Sequence, residues 1–234
     1  MPNDDLKRAA SAWNISEESL DAVVRRIHDG VPSERLEERA DGYVAKMFDL
    51  FGRPSLVDAS AVLEIGSGVG YVMEAIERRA RSSGNTDLRI DGLDIAEHMI
   101  AKAKERLESR AARFGFLHYD GLEIPVKDAE YDLVYSVASL QHIPKPYVYN
   151  LFFEIRRILN DSGCCVLNFL AYRNLPRQAR WTTWRHEIDV QIGRARGPHH
   201  HFYAHEELEE VLRATGFSDV EVRDGEQIWV CAGR

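Results

Sequence analysis

The segment Val62-Leu63-Glu64-Ile65-Gly66-Ser67-Gly68-Val69-Gly70 constrains the fold of this chain more than any other. An apolar strand pattern runs into three glycines at alternate positions, and a helical pattern opens at Tyr71. Strands joined through crossover helices pair in parallel, with the helices covering the sheet. Glycines at such a turn adopt backbone conformations closed to other residues and let a ligand approach the main chain closely. In open sheets of this kind ligands bind beyond the carboxyl ends of the strands, where helix N-termini add amide donors.

The alternation continues along the chain. Apolar runs at 61–65, 88–93, 114–119, 131–137 and 164–170 are interleaved with helical patterns opening at Tyr71, Glu97 and Pro146, the signature of a parallel sheet covered on both faces. The ending differs. After a helix over 205–215 and a turn at Gly216, runs at 220–223 and 227–231 are parted only by Asp224-Gly225-Glu226. A gap that short makes a hairpin, so the sheet is expected to finish with an antiparallel strand.

Before residue 61 the texture is helical. Leu20, Val23, Val24 and Ile27 fall at i, i+3, i+4 and i+7, with Ser16 placed to cap the helix and Gly30-Val31-Pro32 to stop it. A second helix from about Ser33 carries Tyr43, Val44, Met47, Phe48 and Phe51 and closes at Gly52-Arg53-Pro54. Standing outside the sheet, these helices are expected to fold over the ligand cleft.

A length of 234 residues suits one elaborated domain. Its expected parts are a helical cover (1–55), a ligand-binding core (61–170), a lid (171–204), and a terminal helix with hairpin (205–234). The 44% hydrophobic and 29% charged residues exclude a disordered, collagen-like or membrane-bundle chain. With 38 acidic against 30 basic side chains, the net charge of −8 argues against broad affinity for nucleic acid or anionic lipid. Cys164, Cys165 and Cys231 all sit in apolar runs and make neither a disulfide framework nor a zinc knuckle. A reducing compartment fits. The first five residues open no basic-then-apolar leader and no run reaches membrane-span length, so a cytoplasmic location is expected.

Spacing discriminates among ligands. A dinucleotide fingerprint needs a glycine where Tyr71 stands, and no Gly-Lys-Ser/Thr follows to make a P-loop. What remains is a ligand with a ribose and no phosphate to cradle. Asp94 ends the second strand run, where a carboxylate accepts hydrogen bonds from both ribose hydroxyls, and Ile95 beside it suits packing on a base. Asp120, in His118-Tyr119-Asp120-Gly121, is placed to accept from an exocyclic amine.

With Tyr131-Asp132-Leu133-Val134-Tyr135-Ser136 as fourth strand, this ordered set resembles the class I S-adenosylmethionine-dependent methyltransferases over about residues 40 to 234. The resemblance implies a Rossmann-like seven-stranded, mostly parallel sheet of order 3-2-1-4-5-7-6. It also implies that Gly66, Ser67 and Gly68 lie under the methionine and ribose, with Asp94 on the ribose, Asp120 on the adenine amine and Glu64 near the methionine ammonium. Gly70, Met99, Gly121 and Ser136 complete the expected cofactor-lining set, and Arg39 and Tyr43 on the second helix are candidates for the methionine carboxylate. Plainer roles stand beside these: packing for Glu64, a turn cap for Asp120, and a helix on the sheet edge for Arg39 and Tyr43. The expected cofactor is S-adenosylmethionine, released as S-adenosylhomocysteine, with no metal.

The fourth strand narrows the subclass. Nucleobase amino-methylating members carry Asn/Asp-Pro-Pro-Tyr/Phe here, whereas this chain reads Ser136-Val137-Ala138-Ser139. Leu140-Gln141-His142-Ile143-Pro144 resembles the loop of small-molecule methyltransferases that runs beside the sulfonium. His142 either acts as general base toward an acceptor hydroxyl, its unperturbed pKa near 6.5 leaving it an acceptor at neutral pH, or merely orders the loop. Methyl transfer from a sulfonium is an in-line displacement that asks the protein mainly for alignment and a water-poor site.

The stretch from Ala171 to Tyr203 shows no strand signal and only weak helical spacing, and loops that long in a compact domain are usually functional. Six arginines, at 173, 177, 180, 185, 194 and 196, stand against Glu187 and Asp189, giving +4 and leaving −12 for the remainder. Arginine forks suit carboxylate or phosphate, and Trp181 and Trp184 suit stacking on a ring. Arg180, Trp181, Trp184, Arg185, His201 and Tyr203 are therefore candidate substrate contacts, against the alternative of a solvated basic helix with its tryptophans in the core. His199-His200-His201 is no metal site in this reading, because no acidic ligand accompanies it.

The expected function is methyl transfer to a small, anionic metabolite, at oxygen by preference, by a monomer or homodimer that binds neither membrane nor nucleic acid. The alternatives are a methyltransferase acting on RNA or protein and a non-catalytic cofactor-binding protein. A nicotinamide dehydrogenase is disfavoured by Tyr71.

Overall fold

The computed structural model describes residues 6–7, 11–13, 19–27, 31–194 and 200–234. Residues 1–5, Ser16, Gly30, Arg196 and His199, each singled out above, lie outside the described residues.

Helix α1 (Leu20–Ile27) and helix α2 (Ser33–Leu50) precede the sheet. On α2 the fully buried positions are Leu36, Ala40, Val44 and Met47, a stripe at i, i+4, i+8 and i+11, while Tyr43 and Phe48 are half-buried beside it. Strand β1 (Ala61–Ile65), helix α3 (Tyr71–Ser82), strand β2 (Arg89–Asp94), helix α4 (Glu97–Arg106), strand β3 (Phe114–His118) and strand β4 (Tyr131–Ser136) follow. Then come helix α5 (Lys145–Ile158), strand β5 (Leu159–Phe169), helix α6 (Arg177–Gln191), helix α7 (His205–Thr215), and the hairpin of β6 (Ser218–Arg223) and β7 (Ile228–Gly233).

The strands form one sheet of order β3-β2-β1-β4-β5-β7-β6. Pairing is parallel from β3 through β5, and β7 runs antiparallel to both β5 and β6, as the short hairpin connection requires. Every residue of β1 is buried, because a central parallel strand has helices over both faces. Its side chains alternate accordingly: Leu63 and Ile65 join the cluster under α5 and α7, and Val62 joins the one under α2 and α3. Strand β5 begins at Leu159, five residues before the apolar run that announced it. Leu159 pairs with Tyr131 and Cys164 with Leu133, so the polar residues between them are taken up in a bulge.

The long stretch after β5 is not a plain loop. It contains α6, fifteen residues long, and returns to the sheet through an isolated parallel bridge between Leu170 and Phe202. The N-terminal elements reach the strand tips. Val23 and Val24 of α1 pack with Val69 of the glycine turn and with Ala96 and Met99 of the β2–α4 region, and Leu6 is buried with Leu93, Tyr119 and Ile124.

Candidate functional site

The carboxyl ends of β1, β2, β3 and β4 converge on one edge of the sheet, and the turn after β1 organises it. Gly66, Gly68 and Gly70 have φ of +73°, +52° and +85°. Three left-handed residues in five explain the three glycines, since a Cβ is strained there. Space is also short: a Cβ on Gly66 would stand 1.8 Å from Ser139 Oγ in the loop after β4. The turn is tied to β2 by the Gly66 and Ser67 N–H groups, which donate to the Leu93 carbonyl at 2.7 and 3.1 Å.

Asp94, at the tip of β2, accepts from the Gly68 N–H at 2.9 Å through Oδ2 and from the Ala96 N–H at 2.8 Å through Oδ1. Burial lifts its carboxyl above the ordinary range, and these two donors pull it partly back. Glu64, one strand away, is 2% exposed, and burial together with the nearby Asp94 holds its carboxyl well above the usual range, against the Tyr135 hydroxyl that donates to it at 3.4 Å. Ser67 Oγ is buried with no hydrogen-bond partner. Two buried carboxyls and an unsatisfied hydroxyl around a glycine turn that admits no side chain suit a ligand that brings positive charge and hydroxyls.

At the tip of β3, Asp120 accepts from the Leu122 and Glu123 N–H groups through Oδ1, at 2.9 and 3.2 Å, so it does cap a turn. Gly121, at φ +89°, is close-packed: a Cβ there would stand 2.3 Å from Leu6 and 2.9 Å from Ile95. Met99 lies in the cluster beneath α1, and the Ser136 hydroxyl is spent on the Ile65 carbonyl at 2.8 Å. Arg39 is exposed and donates to the Tyr43 hydroxyl at 3.3 Å, while the Tyr43 ring is 6.3 Å from that of Trp229.

His142 follows β4 in a short 3-10 turn over Leu140–His142. It is half-buried, and its ring centroid lies 4.9 Å from that of Trp13 and 4.8 Å from that of His200, both edge-to-face. The Gln141 amide lies 3.3 Å from His142 Nε2. The loop is braced from β5: buried Asn168 accepts from the N–H of Ala138, itself at φ +54°.

On α6 the tryptophans are not in the core. Trp181 is 60% exposed and Trp184 45%, with ring centroids 5.1 Å apart. Arg180 donates to the Leu175 carbonyl at 3.0 Å, Arg185 pairs with Asp189 at 3.3 Å, and Arg173 pairs with Asp224 at 2.7 Å. Tyr203 is buried against Phe169, its hydroxyl without a hydrogen-bond partner, and the His201 N–H donates to the Gln141 carbonyl at 2.7 Å. Among the described residues no three potential ligands gather as a metal site.

Sequence patterns alone missed Arg106, the last residue of α4. Its Nε donates to the Val69 carbonyl at 2.7 Å, it pairs with Glu74 of α3, and its guanidinium lies 4.0 Å over the Tyr71 ring. A half-buried arginine reaching back to the glycine turn bolts that turn from outside. Arg106→Met should therefore lower stability by about 2 kcal/mol, less than the full cost of breaking a buried pair because Arg110 also reaches Glu74. The fall in Tm on thermal unfolding should be about 4–8 °C. An unchanged Tm would show that the turn holds itself.

A family model described as "Methyltransferase domain" matches residues 62–163. The chain is 24% identical over 172 residues to the malonyl-[acyl-carrier protein] O-methyltransferase of Geobacter sulfurreducens, covering 74% of this chain and 61% of that one. It is 28% identical over 116 residues to the 27-O-demethylrifamycin SV methyltransferase of Amycolatopsis mediterranei, covering 49% of this chain and 40% of the relative. It thus spans about three fifths and two fifths of the length of these curated relatives. In fold it is similar to a SAM-dependent methyltransferase from Aquifex aeolicus, with a TM-score of 0.61 at 17% identity over 88% of this chain and 96% of the other.

Proposed function

We propose that this chain, which carries a class I S-adenosylmethionine-dependent methyltransferase domain, transfers the methyl group of S-adenosylmethionine to an oxygen of a small, anionic metabolite. The observation that carries the reading is the cradle at the tips of β1 and β2, where the left-handed glycines, buried Glu64 and Asp94 and the unsatisfied Ser67 hydroxyl meet. In this reading Asp94 holds the ribose, Ile95, Asp120 and Gly121 border the adenine, and Glu64 faces the methionine ammonium. When bound, the cofactor supplies an electrophilic methyl carbon; the chain aligns the acceptor and keeps water out.

His142 is the proposed general base, taking the proton of an acceptor hydroxyl as oxygen attacks. Its half-buried position in the loop after β4, packed against Trp13 and His200, supports that role. Oxygen is favoured because one curated relative above is named an O-methyltransferase and the other is named for an O-demethyl substrate. For the anionic acceptor the support is the arginine excess of the lid, of which Arg177 and Arg194 are exposed, whereas Arg173, Arg180 and Arg185 are engaged within the fold. A cytoplasmic setting is proposed on the three free, buried cysteines; no described helix is long and apolar enough to cross a membrane.

The test is to incubate the protein with labelled S-adenosylmethionine and separate fractions of metabolites, nucleic acid and protein. Label is expected in an acidic metabolite fraction, and it should fall at least tenfold with His142→Ala, since a general base contributes about 10²–10⁴ in rate. Label only in RNA or protein, or binding without transfer to any fraction, would overturn the reading.

A further inference from the structure

Glu187 is the one charged residue of α6 that is buried, at 5% exposed, on a helix that exposes two tryptophans, Trp181 and Trp184, to solvent. A carboxylate is withdrawn from water at considerable cost unless it is hydrogen-bonded, so its partners carry information. Its Oε2 accepts from the His200 backbone N–H at 2.7 Å and lies 3.7 Å from His200 Nδ1. The His200 ring in turn packs edge-on against His142. One residue on, the His201 N–H donates to the Gln141 carbonyl, so the returning strand of the lid is sewn to the His142 loop at two consecutive residues. Trp13 also packs edge-to-face on the imidazole.

We propose that Glu187 is a positioning residue, which through His200 holds the lid helix and the His142 loop together as one unit. The inference rests on the reading that His142 faces the acceptor. Its consequence is that acceptor-site closure and orientation of the imidazole are a single event: freeing Glu187 loosens both.

The experiment compares Glu187→Ala and Glu187→Gln with the wild type, each saturated with S-adenosylhomocysteine, by hydrogen exchange resolved to peptides covering 139–143 and 200–203. Glu187→Ala should exchange about tenfold faster in both peptides, with S-adenosylhomocysteine affinity within about twofold of wild type. Glutamine retains an oxygen that accepts from the His200 N–H, so Glu187→Gln should restore most of the protection. Once an acceptor is in hand, Glu187→Ala should lower kcat about tenfold while leaving the KM for S-adenosylmethionine unchanged. His200→Ala gives a second approach, and it should speed exchange at 139–143 with Glu187 in place. Unchanged exchange at 139–143 in both Glu187→Ala and His200→Ala would overturn the proposal, as would faster exchange spread evenly over the chain. Because exchange is read without an acceptor, a wild type that transfers no methyl group overturns the proposed function and leaves this result independent of it.

Discussion

Replacing Asp94 by alanine is expected to lower the affinity for S-adenosylhomocysteine about a hundredfold in calorimetry, a loss of about 2.7 kcal/mol. Asp94 joins the glycine turn to the start of α4 by accepting from Gly68 and Ala96, one N–H on each oxygen. Each oxygen keeps a second lone-pair site for a ribose hydroxyl. Alanine removes these acceptors together, and a buried donor left unpaired costs about 1–3 kcal/mol. Stability should fall less than affinity, because the carboxylate is itself disfavoured by burial and its removal returns that cost. Asparagine keeps one acceptor but turns an N–H₂ toward the other amide, so Asp94→Asn should lie between alanine and wild type. An affinity for Asp94→Ala within threefold of wild type would leave Asp94 a brace of the turn and end its role on the ribose.

The parts of this architecture that follow a single period were legible from residue order. Strands β1 through β4 announced themselves as short, mainly apolar runs between helical patterns, and the glycines of 66–70 stand where the backbone adopts φ values that suit glycine. The antiparallel finish followed from connection length alone. Helix α6 was hard to read because its large apolar residues do not mark its buried positions: Trp181 and Trp184 are exposed while Glu187 is buried. The early start of β5 was hidden by a bulge of polar residues. At the candidate site, residues at the strand tips could be placed there from their motifs, but those that brace them from other elements could not. Arg106, Leu6, Trp13 and Glu187 act at sequence distances no local pattern spans. Asn168 alone left a signal, as the one polar side chain inside the apolar run of β5.

Glu64→Gln is expected to move stability and cofactor affinity in opposite directions. Burial holds the Glu64 carboxyl well above the ordinary carboxylate range, so the folded state binds this proton more tightly than the unfolded state. Such a group contributes stability that is fully present below the unfolded pKa and is lost as pH rises through the folded one. Glutamine cannot ionise, and its amide oxygen still accepts from the Tyr135 hydroxyl. The variant should therefore show a Tm at pH 8 equal to or above that of wild type, with the advantage vanishing below the ordinary carboxylate range. Toward the cofactor the sign reverses. An ammonium beside Glu64 favours the ionised form, and a charge-assisted hydrogen bond is worth about 1.5–3 kcal/mol, so Glu64→Gln should bind S-adenosylhomocysteine about ten- to a hundredfold more weakly. The same logic requires wild-type binding to release a proton at pH values below the raised pKa of Glu64. Calorimetry in buffers of different ionisation heat reads that proton directly, and the variant should lose it. A Glu64→Gln protein that binds as tightly as wild type with the same proton release would place the ammonium elsewhere and leave Glu64 a packing residue under Tyr135.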